Sequence, residues 1–177
     1  MERRFVPVAE IARPHGVHGE IRLRVFNETS DLLVRRLPIR LRLSDGSERD
    51  AKLEAVRPTN KALLVRIAGV DDRDAAEALR GAFVCVSRDL FPPAEDGEFY
   101  ACDIEGAEAV TAEGQAVGRV TGLVSYPSCD VLVIALGDPP EAGKKPKVVE
   151  VPLIDAYVSS VDVARQVVTL VTLEGLL

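Results

Sequence analysis

The chain has no tryptophan, and aromatic residues make up only 5% of its 177 positions. A core must therefore rest on Val, Leu, Ile and Ala, which the hydrophobic content of 47% supplies. Cysteine is scarce as well. Cys85, Cys102 and Cys129 are an odd set at wide spacings with no CxxC pair, which excludes a zinc ribbon and a thioredoxin-type motif. Cys85 lies in the apolar run Phe83-Val84-Cys85-Val86 and is expected to be a small core residue in a reducing compartment. Histidine is limited to His15 and His18, three apart in a glycine loop without a nearby Cys. That pair reads as loop structure or a partner contact rather than a metal site. No apolar run approaches the roughly 20 residues that span a bilayer. Met1-Glu2-Arg3-Arg4-Phe5 leads into no long apolar segment, so no secretory signal is expected and the reading is cytoplasmic, without a membrane. GxSxG, HExxH and GxxxxGK[ST] are missing, and the carboxylates form no recognisable pair. Gly114-Gln115-Ala116-Val117-Gly118 lacks a strand-then-helix context and reads as a turn. The expectation is a chain that is not an enzyme, with no cofactor and no metal.

Charge is unevenly spread. Residues 1–90 hold 17 Lys and Arg against 14 Asp and Glu, a net of +3, whereas residues 91–177 hold 5 against 14, a net of −9. This asymmetry argues for two modules with different surfaces. Phosphate contact needs Lys and Arg, so the acidic half suits a basic protein partner better than nucleic acid.

The stretch around which the chain is organised runs from Ile11 to Val25. Phe5, Val6, Val8 and Ile11 lead in. Ile21, Leu23 and Val25 alternate with Arg22 and Arg24 leading out, the pattern of a half-buried antiparallel strand with one basic face. Between them, Pro14 belongs at a strand end, and Gly16 and Gly19 mark backbone that needs positive φ or close approach by another group. The stretch is a candidate contact surface or an ordinary hairpin with a polar tip.

Further along, Thr29 or Ser30 is placed to cap a short helical turn. Pro38 to Leu43, Arg49 to Val56 and Leu63 to Ile67 read as strands, with turns at Ser44-Asp45-Gly46-Ser47 and at 57–61. Short strands at this spacing indicate a small antiparallel barrel. Val70 to Gly81 reads as one helix, capped by Asp71 or Asp72 and ended by Arg80 and Gly81, with Val70, Ala75, Ala78 and Leu79 as its apolar stripe. Phe83 to Val86 closes the barrel. Leu90 to Gly97, with Pro92 and Pro93, reads as a semi-rigid connector, giving modules at 1–90 and 98–177 joined by 91–97. In the second module, Val110 to Thr111, Val117 to Val124, Val131 to Leu136, Val148 to Val151, Val158 to Val161 and Gln166 to Leu173 read as strands. Gly137 to Lys147 reads as an exposed, mobile hairpin loop, and Asp155-Ala156-Tyr157 as one helical turn. The fold class is all-β, mainly antiparallel: two small β-barrel domains with one short helix in the first. Phe99 and Tyr100, read as strand neighbours pointing to opposite faces, are either exposed interface anchors or packed between the domains.

Arg13-Pro14-His15-Gly16-Val17-His18-Gly19-Glu20-Ile21-Arg22-Leu23 resembles the opening motif of the ribosome maturation factor RimM family. Ala55-Val56-Arg57-Pro58, with Asp71, Arg73 and Ala75 to Gly81, is similar to its second signature. Glu98-Phe99-Tyr100 with Asp103-Ile104 and Gly106 resembles the opening of its PRC-barrel domain, with Phe99 in place of the first of two tyrosines. Gly114, Gly118-Arg119-Val120, Asp130 to Val133, Val151-Pro152, Val161-Asp162 and Gly175-Leu176-Leu177 extend the likeness to nearly the whole chain. Glu105 and Ser125-Tyr126-Pro127-Ser128-Cys129 depart from it. The resemblance implies a non-enzymatic factor that binds the free 30S subunit or its precursor and supports maturation of the 30S head and 16S rRNA processing. It also implies contact with the small-subunit head protein numbered nineteen through the PRC-barrel side; the charge split adds an expected approach of the Arg-rich module to 16S rRNA, and the chain is expected to act as a monomer. The candidate binding residues are Arg13, Pro14, His15, Gly16, Gly19, Arg22 and Arg24 in the first module, and Phe99, Tyr100 and Asp103 in the second. An RNA-modifying enzyme and a tRNA-binding or nucleotide-binding translation-factor barrel are the alternatives.

Overall fold

The computed structural model describes residues 4–28, 30–137 and 146–177. They form two compact units, residues 1–92 and 93–177. In the first, six strands are set by alternating apolar positions: β1 (Phe5–His15), β2 (Glu20–Val25), β3 (Pro38–Arg42), β4 (Glu48–Thr59), β5 (Ala62–Ile67) and β6 (Phe83–Ser87). All pairs are antiparallel, and the order β1-β2-β5-β4-β3-β6 closes into a barrel. Closure pairs each of these six strands on both sides, so that none of them is an edge open to another chain. The inward set includes Ile11, Ile21, Ile39, Leu41, Leu53, Ile67 and Val84, each at most 2% exposed. Fully burying one such side chain is worth about 1.5–3 kcal/mol. Cys85 is buried as expected, and burial pushes its thiol above the ordinary value.

Several boundaries differ from the sequence reading. β4 runs on through Pro58 and Thr59, leaving a shorter turn whose carbonyl and amides the Thr59 hydroxyl holds. Pro14, paired with Ile21, is the last residue but one of β1, at the strand end expected of it. The helix is only α1 (Arg73–Glu77), with Asp72 as its cap through a 2.8 Å bond from the Ala75 amide. The chain then tightens into i−3 bonds at Leu79 and Arg80 because β1 takes it back: Gly81 N–H donates to Ile11 O, and Ile11 N–H to Ala82 O, both at 2.8 Å. Ala76, not Ala78, joins Val70 and Leu79 in the core. Thr29 lies outside the described residues. Ser30 caps no helix, and its hydroxyl accepts from Leu32 N–H.

The second unit holds α2 (Ala101–Ile104), β7 (Glu108–Thr111), β8 (Ala116–Ser125), β9 (Asp130–Leu136), β10 (Val148–Pro152), β11 (Val158–Asp162) and β12 (Val167–Leu170). Their order is β10-β9-β8-β7-β12-β11, antiparallel except for the parallel pair β7–β12. Among the described residues, β10 and β11 are the two edges of this sheet, so its hydrogen bonds do not close as those of the first unit do. Ile104, Leu132, Ile134, Val151, Val168 and Leu170 make its separate core. The turn expected at Asp155 to Tyr157 is present, with Tyr157 and Val158 amides both donating to Ile154 O at 2.9 Å. Residues 138–145 of the expected hairpin loop lie outside the described residues.

Candidate partner-binding surfaces

The β1–β2 hairpin brings together all seven candidate residues of the first unit. Its tip is the four-residue turn Gly16-Val17-His18-Gly19. Both glycines have positive φ, 68° and 75°. They differ in their surroundings. A Cβ on Gly16 would meet open space, whereas one on Gly19 would lie 2.1 Å from the Val70 carbonyl oxygen. The turn is thus pressed onto the chain just before α1. Val17 stands 60% exposed at the tip.

Alternation holds along β2, with Ile21 and Leu23 buried and Arg22 and Arg24 on the outer face. A bulge at Ala12 offsets the pairing, so Arg24 faces Glu10 and Arg22 faces Arg13. The two arginines therefore diverge. Arg24 is ion-paired with Glu10. Arg22 gives one hydrogen bond, from Nη2 to the Lys61 carbonyl at 2.9 Å, and faces exposed Arg13 across the ladder with no carboxylate partner among the described residues. Like charges directly opposite one another on a ladder are destabilising unless an anion joins them. Beside them, Glu20 takes a forked contact from Arg57, at 3.0 and 2.9 Å from Nη2, with His15 Nε2 at 3.9 Å. Arg80 Nε donates to the bulge carbonyl of Ala12 at 3.2 Å. Among the described residues, Arg13 and Arg22 on this face, like the neighbouring Lys61, have no ion pair.

In the second unit, Phe99 and Tyr100 precede α2 in non-strand backbone, with Tyr100 at the helix N-cap position. The strand argument for opposite faces does not apply, because the next residues coil into a helix. Phe99 packs partly buried against the second core. Tyr100 is half-buried, and its carbonyl accepts from Asp103 N–H at 2.8 Å. Asp103 lies within α2, its own carbonyl held at 2.6 Å by Gln166 Nε2. These three candidates lie within five residues, but the first is mostly a packing residue.

Sequence reasoning passed over a more exposed aromatic. Tyr126, in the β8–β9 turn, is 48% exposed, and Val124, two residues before it, is exposed as well. The departure at Ser125 to Cys129 was the available signal. Among the described residues, no group of three or more His, Cys, Asp and Glu is arranged to hold a metal ion. No helix among them is long and apolar enough to cross a membrane.

Comparison with known proteins follows the same two-unit division. The family model for the RimM N-terminal domain matches residues 6–91, and that for the PRC-barrel domain matches residues 96–177. A Sorangium cellulosum protein named ribosome maturation factor RimM is 64% identical over 99% of both chains. A Myxococcus xanthus protein of the same name is 41% identical over 93% of this chain and 84% of that one. A Pseudomonas aeruginosa crystal structure, titled as a 16S ribosomal RNA processing protein RimM, is 26% identical, covers 96% of this chain and 98% of its own, and has a TM-score of 0.46.

Proposed function

The chain belongs to the ribosome maturation factor RimM family, and from that membership we propose that it binds the free 30S subunit or its precursor and promotes maturation of the 30S head and processing of 16S rRNA. The observation that carries this reading is 64% identity over 99% of both chains to a protein of that name. It acts in the cytoplasm, as a monomer, and by binding rather than by catalysis. The division of labour follows charge. The second unit, acidic overall, takes the basic head protein numbered nineteen, and the first unit approaches rRNA through Arg13 and Arg22, with the glycine turn of residues 16–19 and Pro14 and His15 as its frame. Arg24, neutralised by Glu10, adds less.

A sucrose-gradient profile of tagged protein tests the reading: the chain is expected in the free 30S fractions. Absence from them, or turnover of an rRNA transcript by the purified chain, overturns it. The arginine assignment has its own test. Arg13→Ala with Arg22→Ala should lower particle affinity and reduce its salt dependence, by about one unit of log–log slope for each phosphate that is no longer neutralised. An unaltered slope leaves the two arginines as a solvated face.

Within the second unit, Tyr126→Ala should weaken capture of the purified head protein about tenfold, with an unchanged melting temperature, since an exposed aromatic acts as an anchor. Phe99→Ala should instead lower the melting temperature, because that ring fills core space. The reverse pattern would return the binding role to Phe99, Tyr100 and Asp103.

A further inference from the structure

On the barrel's wall lies an open cavity of about 520 Å³ lined by Arg35, Arg36, Lys52, Glu54 and Arg66, the last of these paired with Glu20 at the foot of the glycine turn. A second bulge builds its floor. On β4, Leu53 pairs with Ile67 and Ala55 with Arg66, so Glu54 is the extra residue and the strand bends there. One wall is the segment before β3, held by Arg36 N–H to Leu53 O at 2.8 Å and Leu53 N–H to Leu37 O at 3.0 Å. Arg35 Nε donates to the bulge carbonyl of Glu54 at 3.2 Å. The other wall is fixed by Ala68 N–H to Lys52 O at 2.9 Å.

Four cations and one carboxylate line this cavity. Arg66 is poorly compensated: its Nη2 stands 3.7 Å from the exposed Asp71, and its buried Nε has no hydrogen-bond partner among the described residues. Arg36 holds φ at 68°, a left-handed conformation that glycine adopts freely and arginine does not. Strained backbone of this kind collects at binding sites, where the side chain is needed in spite of it. Guanidinium and ammonium groups carried by residues that line one concavity suit the oxygens of a phosphate.

We propose that this cavity is a phosphate site that receives the backbone of an RNA strand. The inference rests on the assembly-factor reading, which brings the chain to rRNA, and adds a contact surface that adjoins the β1–β2 hairpin through Arg66 and Glu20. The site reads backbone rather than sequence, since its donors are charged groups suited to phosphate oxygens.

The test is titration of the full chain with a labelled 16S rRNA transcript across a range of KCl concentrations. Arg36→Gly removes the cation while relieving the backbone, so it should leave the melting temperature unchanged or higher and still weaken binding about tenfold. Lys52→Ala should do the same, and each should cut the salt slope by about one unit. Glu54→Gln should tighten binding. The site is overturned if Arg36→Gly and Lys52→Ala titrate as the parent does, or if the parent does not bind the transcript. Sedimentation of the parent separates the two readings. A parent that binds transcript but never enters the 30S fractions overturns the assembly reading alone. One that enters them while both variants titrate normally overturns the site alone.

Discussion

Gly19→Ala is expected to lower the melting temperature of the first unit by about 12–24 °C, from a loss of about 3 kcal/mol in a domain of this size. Two costs coincide at that position. The backbone is at φ 75°, where a side chain is strained, and the new Cβ would lie 2.1 Å from the Val70 carbonyl oxygen and under 3 Å from backbone at Asp71. Neither neighbour is a flexible side-chain tip that can swing aside. Either the turn lifts from residues 70–71 or the chain leading into α1 moves, and Val70 belongs to the barrel core. Gly16→Ala separates the two costs, because Gly16 has φ 68° but faces open space. Its effect should be about 1 kcal/mol. A calorimetric scan in which the two variants melt together would show that the close approach carries no weight.

Gly118→Ala should have a comparable effect on the second unit only. Gly118 sits in β8 between Ala109 of β7 and Leu136 of β9, where a Cβ would lie 2.0 Å from the Ala135 carbonyl oxygen. No positive φ is involved, so the cost is overpacking against backbone, about 3 kcal/mol. The two cores share no residue. We therefore expect two calorimetric transitions, with the barrel transition of the Gly118 variant where the parent has it. If both transitions shift together, the proposal of independently folding units at 1–90 and 98–177 fails.

Much of this was legible in the sequence, and what was missed has definite physical reasons. Alternation located β2 and β3 because one face of each is buried, a continuous apolar run located β9, and the two glycines of the turn were marked as positions of positive φ or close approach. Alternation cannot reveal a bulge. The extra residue at Ala12 is what pairs Arg24 with Glu10 while leaving Arg22 beside Arg13. The extra residue at Glu54 shapes the cationic cavity in the same hidden way. Phe99 and Tyr100 read as strand because aromatics favour strands, yet Ala101 to Ile104 forms a helical turn that Gln166, far along the chain, holds through the Asp103 carbonyl. Tertiary contacts overrode local propensity there. Helix α1 came out short for a related reason, as β1 claims its exit at Gly81.

The parallel pair β7–β12 bears on the order of folding. Glu108 aligns with Val167 and Thr111 with Leu170, so the first strand of the second sheet waits for the last. Such non-local pairing carries its loop-closure entropy before any contact offsets it, which slows folding. During synthesis, β6 emerges and lets the barrel close while β12 has yet to be made. Until then β7 keeps an open edge and β11 has no neighbour, a state prone to pairing with other chains. The acidic surface assigned to protein partners thus matures after the cationic barrel, and a nascent chain stalled before Val167 would carry a finished first unit and an unfinished, aggregation-prone second one.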